Sequence, residues 1–266
     1  MFCQLNIGVW VRDERYFVPS LARGLEILST FSEEEPSLSL SELARRLELG
    51  RSSVYRLVHT LTRLGYLEFD EKTKRYAPSA KVLSLAANTA TSMTLSAVAL
   101  PHLKDLARRF NETVSLGTLV GHHVILVQRI ESQQILTTRF QVGSQLPVHC
   151  TSLGKTLLAH LPPDEATAVL EFVELVSMGP KTMTDTHELL QDLARIREQG
   201  FGLNDEELTA GLHSVAAPIS SRHGHVIAAI DVSTLVVRIP RQRLVTEVAQ
   251  AVMQAADCIS TALETT

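Results

Sequence analysis

The sequence predicts an α+β protein with two parts, a small N-terminal unit of helices and one hairpin and a larger unit that mixes strands with helices. Two observations predict this division. Up to about residue 78, apolar residues recur at helical spacing and lead into a single charged hairpin. From about residue 113, strand-like runs alternate with helical ones. Strands and helices mixed in this order predict an antiparallel sheet with helices packed on it.

The composition is that of a globular protein. The chain has 266 residues, of which 45% are hydrophobic and 20% charged, and this length fits one large domain or two ordinary ones. No apolar run approaches the ~20 residues of a membrane-spanning helix, and the first residues lack the features of a signal peptide. The three cysteines are odd in number and far apart, so we expect reduced thiols and a cytoplasmic protein without membrane contact.

Charge is unevenly distributed along the chain. The net charge is −4, yet residues 45–75 contain eight basic and four acidic side chains. The local charge of this segment is therefore +4, which leaves −8 for the rest of the chain. Because nucleic-acid phosphates are bound by lysine and arginine, this asymmetry predicts that one part of the protein contacts phosphate and the other does not.

The spacing of apolar residues predicts the first two helices. Residues 20–31 form the first, and residues 39–49 form the second. The stripe of the first helix comprises Leu21, Leu25, Ile27, Leu28 and Phe31. Ser39 and Glu42 have the S-x-x-E spacing of a capping box, in which each side chain accepts a hydrogen bond from the backbone N–H of the other residue. This motif marks the start of the second helix.

A third helix is predicted for residues 51–65, after a short turn that contains a glycine. The stripe expected to face its core comprises Val54, Leu57, Val58, Leu61 and Leu64. Ser52 or Ser53 is expected to cap the start of this helix, because a hydroxyl accepts a hydrogen bond from a free N–H group there. Gly65 is expected to end it.

A hairpin and a linker complete the N-terminal part. Residues 66–78 predict two short strands around a charged turn at 70–74, and the Ala- and Leu-rich segment 79–91 predicts a linker helix. The remaining strands are expected at 113–120, 123–130, 136–140, 214–219 and 225–233, and the remaining helices at 95–110, 151–161, 187–198 and 241–263. We therefore expect domains at 17–78 and 92–266, joined by the linker helix.

The order helix, short turn, helix and charged hairpin over residues 39–77 is typical of a winged helix-turn-helix. In such a unit the second helix lies in the major groove of DNA, and its N-terminal residues reach the base edges. Arginine pairs with guanine, and serine contacts a phosphate or a base. The expected base-reading side chains are Arg51, Ser52, Ser53, Tyr55, Arg56 and His59, and the expected phosphate contacts on the hairpin are Lys72, Lys74 and Arg75. The same pattern also fits a solvated amphipathic helix beside a charged hairpin.

Three segments resemble the N-terminal domain of the isocitrate lyase regulator (IclR) family: SLARGLEIL, LSLSELARRLELGRSSVYRLVHTLTRLGYLE and TKRYAPSAKVLSLA. Three more resemble the effector-binding domain of that family: GSQLPVHCTSLGKTLLAHLP, IREQGFGLNDEELTAGLHSVAAPI and HVIAAIDVS. The resemblance covers about residues 17–264. It implies a winged-helix regulator that binds palindromic operator DNA as a homodimer or homotetramer, with a C-terminal GAF-like α/β domain that binds a small organic molecule.

The run TSLGKT at residues 151–156 contains part of a phosphate-binding loop. Such a loop needs a glycine five positions before Gly154, where His149 stands, so nucleotide hydrolysis is not expected. Free N–H groups at the predicted helix start attract an anion. The resemblance implies that the backbone at Ser152, Leu153 and Gly154 holds the carboxylate of a small acidic effector.

The resemblance implies four further effector positions: Asn204, Ser214, Asp231 and Ser233. Some family members have Asp at position 204 and Ser at position 231. An ionised Asp231 would repel an anion and would accept a hydrogen bond from a hydroxyl, so we expect an effector with a carboxylate at one end and a hydroxyl or amine at the other. A hydroxylated aromatic acid fits, and IDVST resembles the family branch that controls aromatic-acid breakdown. Alternatively, Asn204 only forms a turn, and the two serines simply alternate on strands.

The sequence contains no motif of a known catalytic site. There is no nucleophile elbow, metalloprotease helix or dinucleotide-binding glycine motif, and the pair His149–Cys150 lacks the spacing of a zinc site. We therefore expect no catalytic residue, no metal and no cofactor. The favoured function is a ligand-responsive, DNA-binding regulator of a catabolic operon. An enzyme assembled only in three dimensions, and a small-molecule sensor or interaction protein without sequence-specific DNA binding, remain alternatives.

Overall fold

The computed structural model describes residues 17–32, 35–82, 90–132 and 140–264. The chain divides into two compact units between Ala90 and Thr91, and the α+β class predicted from the sequence is confirmed. None of the described helices combines the length and the apolar composition that crossing a membrane requires.

Within the described residues up to position 78, the N-terminal unit has three helices and a small antiparallel sheet with the strand order β1-β3-β2. Its elements are α1 (Pro19–Ser29), β1 (Leu38–Ser39), α2 (Leu40–Arg46), α3 (Arg51–Arg63), β2 (Leu67–Asp70) and β3 (Arg75–Pro78). The three helices predicted for residues 20–65 and the hairpin are therefore present, and among the elements described up to residue 78 only the two-residue strand β1 was not predicted. The core of this unit is apolar and includes Ile27, Leu43, Val54, Val58 and Tyr76.

The capping box of α2 is confirmed. Ser39 Oγ accepts a hydrogen bond from the Glu42 N–H at 3.3 Å, and a Glu42 carboxylate oxygen accepts one from the Ser39 N–H at 2.7 Å. The cap predicted for α3 was wrong, because Gly50 is the N-cap and no side chain bonds there. Ser52 and Ser53 lie inside the first turn, with their side chains exposed.

Parts of the predicted apolar stripes face solvent. On α1 only Ile27 is buried, whereas Leu21 and Leu25 are 64% and 55% exposed, since the first two turns of this helix extend past the small core of the unit. Leu64 is also exposed, because it lies beyond the last residue of α3. Gly65 follows with a φ of 80° and ends the helix as predicted, in a conformation that glycine adopts without strain.

The C-terminal unit is built on a six-stranded antiparallel sheet with the order β6-β5-β4-β9-β8-β7. Its strands are β4 (Thr113–Val120), β5 (His123–Ile130), β6 (Gln145–Pro147), β7 (Gly202–Asp205), β8 (Leu212–Ser220) and β9 (Val226–Leu235). The antiparallel sheet is confirmed, and β4 and β5 have the predicted bounds. The short strands β6 and β7 were not predicted. Of the predicted strand 136–140 and linker helix 79–91, residues 136–139 and 83–89 lie outside the described residues.

Helices cover both faces of this sheet. They are α4 (Ala90–Phe110), α5 (Ser152–Ala159), α6 (Pro163–Leu170), α7 (Thr186–Gln199) and α8 (Arg241–Arg243), which continues through a π-helical segment (Leu244–Val248) into α9 (Ala249–Glu264). One apolar cluster joins α4 and α9 to β4, β8 and β9. A second joins α5 and α7 to β5 and β6. Only α6 among these helices was not predicted. The short helix α5 thus lies buried against the sheet, where the candidate effector site is found.

Candidate functional site

The outer face of α3 carries the six side chains predicted to read DNA. All six are exposed, namely Arg51, Ser52, Ser53, Tyr55, Arg56 and His59. Val54, Val58 and Leu61 are buried on the opposite side of the helix. The ring centroids of Tyr55 and His59 lie 6.0 Å apart, one helical turn from each other. The helix therefore docks through an apolar face and presents a polar face that includes Arg51 and Arg56 to solvent.

The hairpin turn is organised by Asp70. Its carboxylate accepts hydrogen bonds from the Thr73 hydroxyl at 2.7 Å and from the Lys72 N–H at 2.9 Å, and these bonds lower the pKa of Asp70. Lys72 and Lys74 are both exposed on this turn. Lys74 has a φ of 56°, and its Nζ lies 5.8 Å from the centroid of the Phe69 ring. The turn thus presents two lysine side chains to solvent.

Arg75 differs from these two lysines. Its Nη2 atom donates to the Ser37 carbonyl at 2.8 Å and lies 3.0 Å from a carboxylate oxygen of Glu42. The guanidinium therefore links β3 to the start of α2. The phosphate contact predicted for Arg75 stays a prediction, and in the structure its guanidinium has partners inside its own unit.

The start of α5 carries the predicted anion-binding backbone. Thr151 is the N-cap, and its hydroxyl oxygen accepts the Gly154 N–H at 3.1 Å. The first main-chain bond of the helix is from the Lys155 N–H to the Thr151 carbonyl at 3.0 Å. The N–H groups of Ser152 and Leu153 precede that bond and are the ones a helix leaves for other acceptors. Gly154 instead allows close packing, since a Cβ there would lie 2.4 Å from the backbone of Val148.

A cavity of about 30 Å³ lies between the sheet and the start of α5, where Thr151 and Leu153 line it. Five of the six strands contribute a polar side chain to its wall, and together these are Arg129, Ser115, Asp231, Ser233, Ser214 and Asn204. The register explains the grouping. Ser115 pairs with Arg129 on one side and with Asp231 on the other, and Ser214 pairs with Ser233 and with Asn204. The six residues therefore form two adjacent rows of three, which meet on β9 where Asp231 and Ser233 lie two residues apart on the same face. We call the whole set the polar row.

Hydrogen bonds connect the polar row to α5. Asp231 accepts bonds from the Ser233 hydroxyl at 2.8 Å, the Ser115 N–H at 3.2 Å and the Ser152 hydroxyl at 3.3 Å. The hydroxyl oxygens of Ser152 and Ser214 lie 2.7 Å apart. Each of these hydroxyls donates one bond and accepts others, so the serines satisfy both one another and the carboxylate.

Asn204 forms a turn and also lies at the wall of the cavity. Its Oδ1 atom accepts the Glu207 N–H at 2.9 Å, which shapes the turn after β7, and its Nδ2 atom lies 3.5 Å from the Ser214 hydroxyl. The residue is buried and lines the cavity. It therefore forms the turn and also presents an amide to the polar row.

Two opposite charges are buried in the polar row. Asp231 is 5% exposed, and burial raises its pKa to about 6, against the lowering effects of the Ser233 hydrogen bond and the Arg129 charge. The Arg129 side chain is 6% exposed, and its Nη1 atom lies 3.4 Å from the Ser115 hydroxyl. Burial also lowers the pKa of Arg129, but a guanidinium stays protonated in proteins.

Arg129 and Ser115 were not predicted as site residues. The signal in the sequence is one arginine in β5, two positions after the apolar run VILV and directly before Ile130. A charge in a half-buried strand needs a partner. Glu131, whose carboxylate lies 3.7 Å from the Arg129 Nε atom, is local in the sequence, but the neighbourhood of Ser115 and Asp231 becomes visible only once the strand register is known.

The lysine of the GKT run, Lys155, is buried in ion pairs with two carboxylates. Lys155 is 2% exposed, and its Nζ lies 2.7 Å from Glu207 and 2.9 Å from Asp192. These ion pairs join α5 to α7 and to the turn after β7, so this lysine does not project toward a phosphate. Among the residues that the structure describes, no three His, Cys, Asp or Glu side chains are grouped as metal ligands would be.

Two family models match the chain. The IclR helix-turn-helix domain matches residues 20–71, and the C-terminal domain of the bacterial transcriptional regulator IclR matches residues 87–261. The Pca regulon regulatory protein of Pseudomonas putida is 34% identical over 229 residues, which are 86% of this chain and 78% of that protein. The transcriptional repressor IclR of Escherichia coli is 31% identical over 241 residues, which are 90% of this chain and 88% of that protein.

Solved structures are similar over nearly the whole length. An IclR homolog from Microbacterium hydrocarbonoxydans, complexed with 4-hydroxybenzoate, aligns with a TM-score of 0.82 at 29% identity, over 93% of this chain and 100% of that one. IclR of Thermotoga maritima aligns with a TM-score of 0.70 at 26% identity, over 92% and 99% of the two chains. The matched domains and the named relatives are regulators of transcription and not enzymes. The chain therefore belongs to the IclR family of transcriptional regulators.

Proposed function

We propose that this protein binds operator DNA of a catabolic operon through α3 and releases or engages it in response to a small organic acid. The observation that carries the proposal is the exposed polar face of α3, in which Arg51 and Arg56 stand opposite the buried side chains of Val54, Val58 and Leu61. A helix with this division fits the major groove, where arginine forms paired hydrogen bonds with guanine. Because operator DNA is in the cytoplasm of a bacterial cell, we also infer a cytoplasmic location.

The effector in this proposal is a small acid with a second polar group, such as a hydroxylated aromatic acid. The N–H groups of Ser152 and Leu153 suit its carboxylate, and Asn204, Ser214, Asp231 and Ser233 suit its other polar end. We assign no ligand bond to Gly154, whose N–H bonds to Thr151. The 4-hydroxybenzoate in the complex of the Microbacterium homolog supports this class of compound.

Widening of the cavity provides a route from binding to response. Ligand sites commonly have volumes of about 300–1,000 Å³, whereas this cavity has about 30 Å³. An aromatic acid must therefore separate Ser152 from Ser214 and Asp231, which are its closest hydroxyl and carboxylate partners. Since Ser152 begins α5, this separation moves the helix away from the sheet. We place the DNA-binding domain at residues 17–78 and the effector-binding domain at residues 92–266. A linker helix at 79–91 would transmit the movement of α5 to the DNA-binding domain.

We further infer that the active form is a homodimer or homotetramer. Four large apolar side chains at one end of the N-terminal unit are more than half exposed, namely Phe17, Val18, Leu21 and Leu25. Exposed apolar groups of this kind mark contact surfaces, and a second copy of the chain is the partner that a palindromic operator calls for. Two copies would place their α3 helices in successive major grooves, about 34 Å apart.

The test begins with DNA that the purified protein retains from fragmented genomic DNA of its own source. We expect specific fragments, and their affinity, measured by fluorescence anisotropy, should fall steeply with salt because phosphate contacts release counterions. Adding hydroxylated aromatic acids should shift that affinity. Retention of no specific fragment, together with calorimetric binding of an acid, would favour the alternative of a sensor without sequence-specific DNA binding.

A further inference from the structure

We propose that Arg129 is a specificity-determining residue of the effector cavity, and that with Asp231 it selects an acid whose second polar group is a neutral hydroxyl rather than an amine. This inference rests on the proposed function and narrows its effector class. Arg129 lies outside the set of site residues that the sequence indicated, and it reaches the cavity only through the pairing of β5 with β4.

The register fixes the position of Arg129 relative to Asp231. Ser115 on β4 lies between them, paired with Arg129 of β5 and with Asp231 of β9. Neighbouring strands are about 4.8 Å apart, so the two charged residues start about 10 Å apart. The long arginine side chain shortens this separation, because its Nη1 lies 3.4 Å from the Ser115 hydroxyl while the Ser115 N–H lies 3.2 Å from the Asp231 carboxylate. Guanidinium and carboxylate thus adjoin the same residue and face the same cavity.

The two groups have opposite hydrogen-bonding capacity. A guanidinium only donates hydrogen bonds, and an ionised carboxylate only accepts them. Both are almost fully buried, so a ligand that displaces their neighbours and leaves either one without a hydrogen bond loses affinity. A ligand group satisfies both side chains if one of its atoms accepts a hydrogen bond from Arg129 and also donates a hydrogen bond to Asp231.

A hydroxyl meets this requirement, and the alternatives fail at one of the two groups. A neutral aromatic amine donates to Asp231 but is a poor acceptor for Arg129, and an ammonium group is repelled by the guanidinium. A second carboxylate accepts from Arg129 but is repelled by Asp231. An unsubstituted ring leaves both charges desolvated without a ligand partner. The pair therefore favours a monocarboxylate with a hydroxyl at its far end, while its carboxylate lies at the start of α5.

The test is isothermal titration calorimetry of the full-length protein at neutral pH with benzoate, 4-hydroxybenzoate, 4-aminobenzoate and terephthalate. The wild-type protein should bind the hydroxy acid at least about tenfold more tightly than each of the others, since sites built to pair with a hydroxyl reject analogues that lack it. In Arg129→Met, the hydroxy and amino acids should bind within about threefold of each other. Arg195→Met is the matched control, because that arginine is exposed on α7, and it should keep the wild-type ratio.

Asp231→Asn provides a second variant that keeps the shape of the side chain. Its neutral amide still accepts a hydrogen bond but no longer repels an anion, so the preference for 4-hydroxybenzoate over terephthalate should fall to within about threefold. The preference over 4-aminobenzoate, which Arg129 sets, should persist. An unchanged hydroxyl-to-amine ratio in folded Arg129→Met, or an unchanged hydroxyl-to-carboxylate ratio in folded Asp231→Asn, would overturn the role of the pair and leave the proposed regulator intact. Tighter binding of the amino acid by the wild type would overturn it as well. Binding of none of the four acids would count against the proposed effector class and, with it, this inference.

Discussion

The polar side chains of α3 and those of the polar row differ in where their hydrogen-bond partners lie. On α3 they face solvent, opposite an apolar stripe that packs into the core of the N-terminal unit. In the polar row, Asp231 and the serines around it bond to one another. An exposed polar residue is usually replaced within about 0.5 kcal/mol of stability, whereas a buried group left without its partner costs about 1–3 kcal/mol. Specificity for DNA can therefore change without the fold, but specificity for the effector and stability change together.

The largest expected effect is a loss of stability on removal of a buried charge, and it tests the claim that buried polar groups depend on their partners. Lys155→Met keeps a side chain of similar size but leaves Asp192 and Glu207 without the ammonium that neutralises them. Breaking a buried ion pair in this way lowers the free energy of unfolding by about 3–5 kcal/mol. Urea denaturation followed by circular dichroism measures this change.

Lys181→Met is the matched control for Lys155. Lys181 also contacts two carboxylates, those of Asp205 and Glu206, but it is 53% exposed, so its loss should change the free energy of unfolding by less than about 1 kcal/mol. Equal effects of the two substitutions would contradict the distinction between buried and exposed polar groups on which the comparison is based.

The second effect concerns the carboxylate of the polar row. Burial raises the pKa of Asp231 from 3.8 to about 6. An acid with a higher pKa in the folded state binds more protons when folded, so this group lowers stability as pH rises from about 4 to about 6, and the loss is complete above that range. The loss amounts to about 3 kcal/mol.

Asp231→Asn should remove this pH dependence. The free energy of unfolding of the variant, relative to wild type, should increase between about pH 4 and pH 7 and then level off. Urea titrations of both proteins across this range measure the difference, and titrations common to both, such as those of Glu112 and Glu207, cancel. Parallel curves would mean that Asp231 is paired well enough in the folded state to keep an ordinary pKa.

The third effect is a loss of DNA affinity, and it tests the exposed polar face of α3. Arg56→Ala should weaken binding to a retained operator fragment by about 1–3 kcal/mol, because a base contact is lost, and should leave the free energy of unfolding within about 0.5 kcal/mol of wild type. Anisotropy and urea denaturation on the same preparation measure the two quantities. Arg195→Ala, an exposed arginine on α7, should change neither. A loss of stability without a loss of affinity would mean that Arg56 supports the fold and does not contact DNA.

The polar face of α3 and the polar row also differ in how far the sequence could predict them. The polar face of α3 is local, because a period of 3.6 residues determines which side chains point away from Val54 and Val58, and the structure agrees with that pattern. The polar row, in contrast, combines residues that are far apart in the sequence. Ser115 and Asp231 are neighbours only because β4 pairs with a strand more than 100 residues later in the chain, and periodicity contains no information about that pairing.

The elements that were missed have a related cause. Strands β1, β6 and β7 have two to four residues each, too few for an alternation of apolar and polar residues to be recognised. The cap of α3 was misassigned because serine is the stronger capping residue, whereas Gly50 and the turn before it set the point at which the helix begins. Asn204 was located through family resemblance, since nothing in the run GLND distinguishes a cavity residue from a turn residue.

The smallest expected effect separates two basic residues of one hairpin. Lys72 is exposed and contributes only its backbone N–H to the turn, so Lys72→Ala should weaken DNA binding similarly for all sequences and reduce the slope of log affinity against log salt by about 1. Arg75→Ala should instead lower the free energy of unfolding by about 1 kcal/mol and leave that slope unchanged, since the guanidinium bonds to Ser37 and Glu42. Salt titrations by anisotropy distinguish the two outcomes. A reduced slope in Arg75→Ala would mean that this side chain leaves its internal partners for a phosphate when DNA is bound.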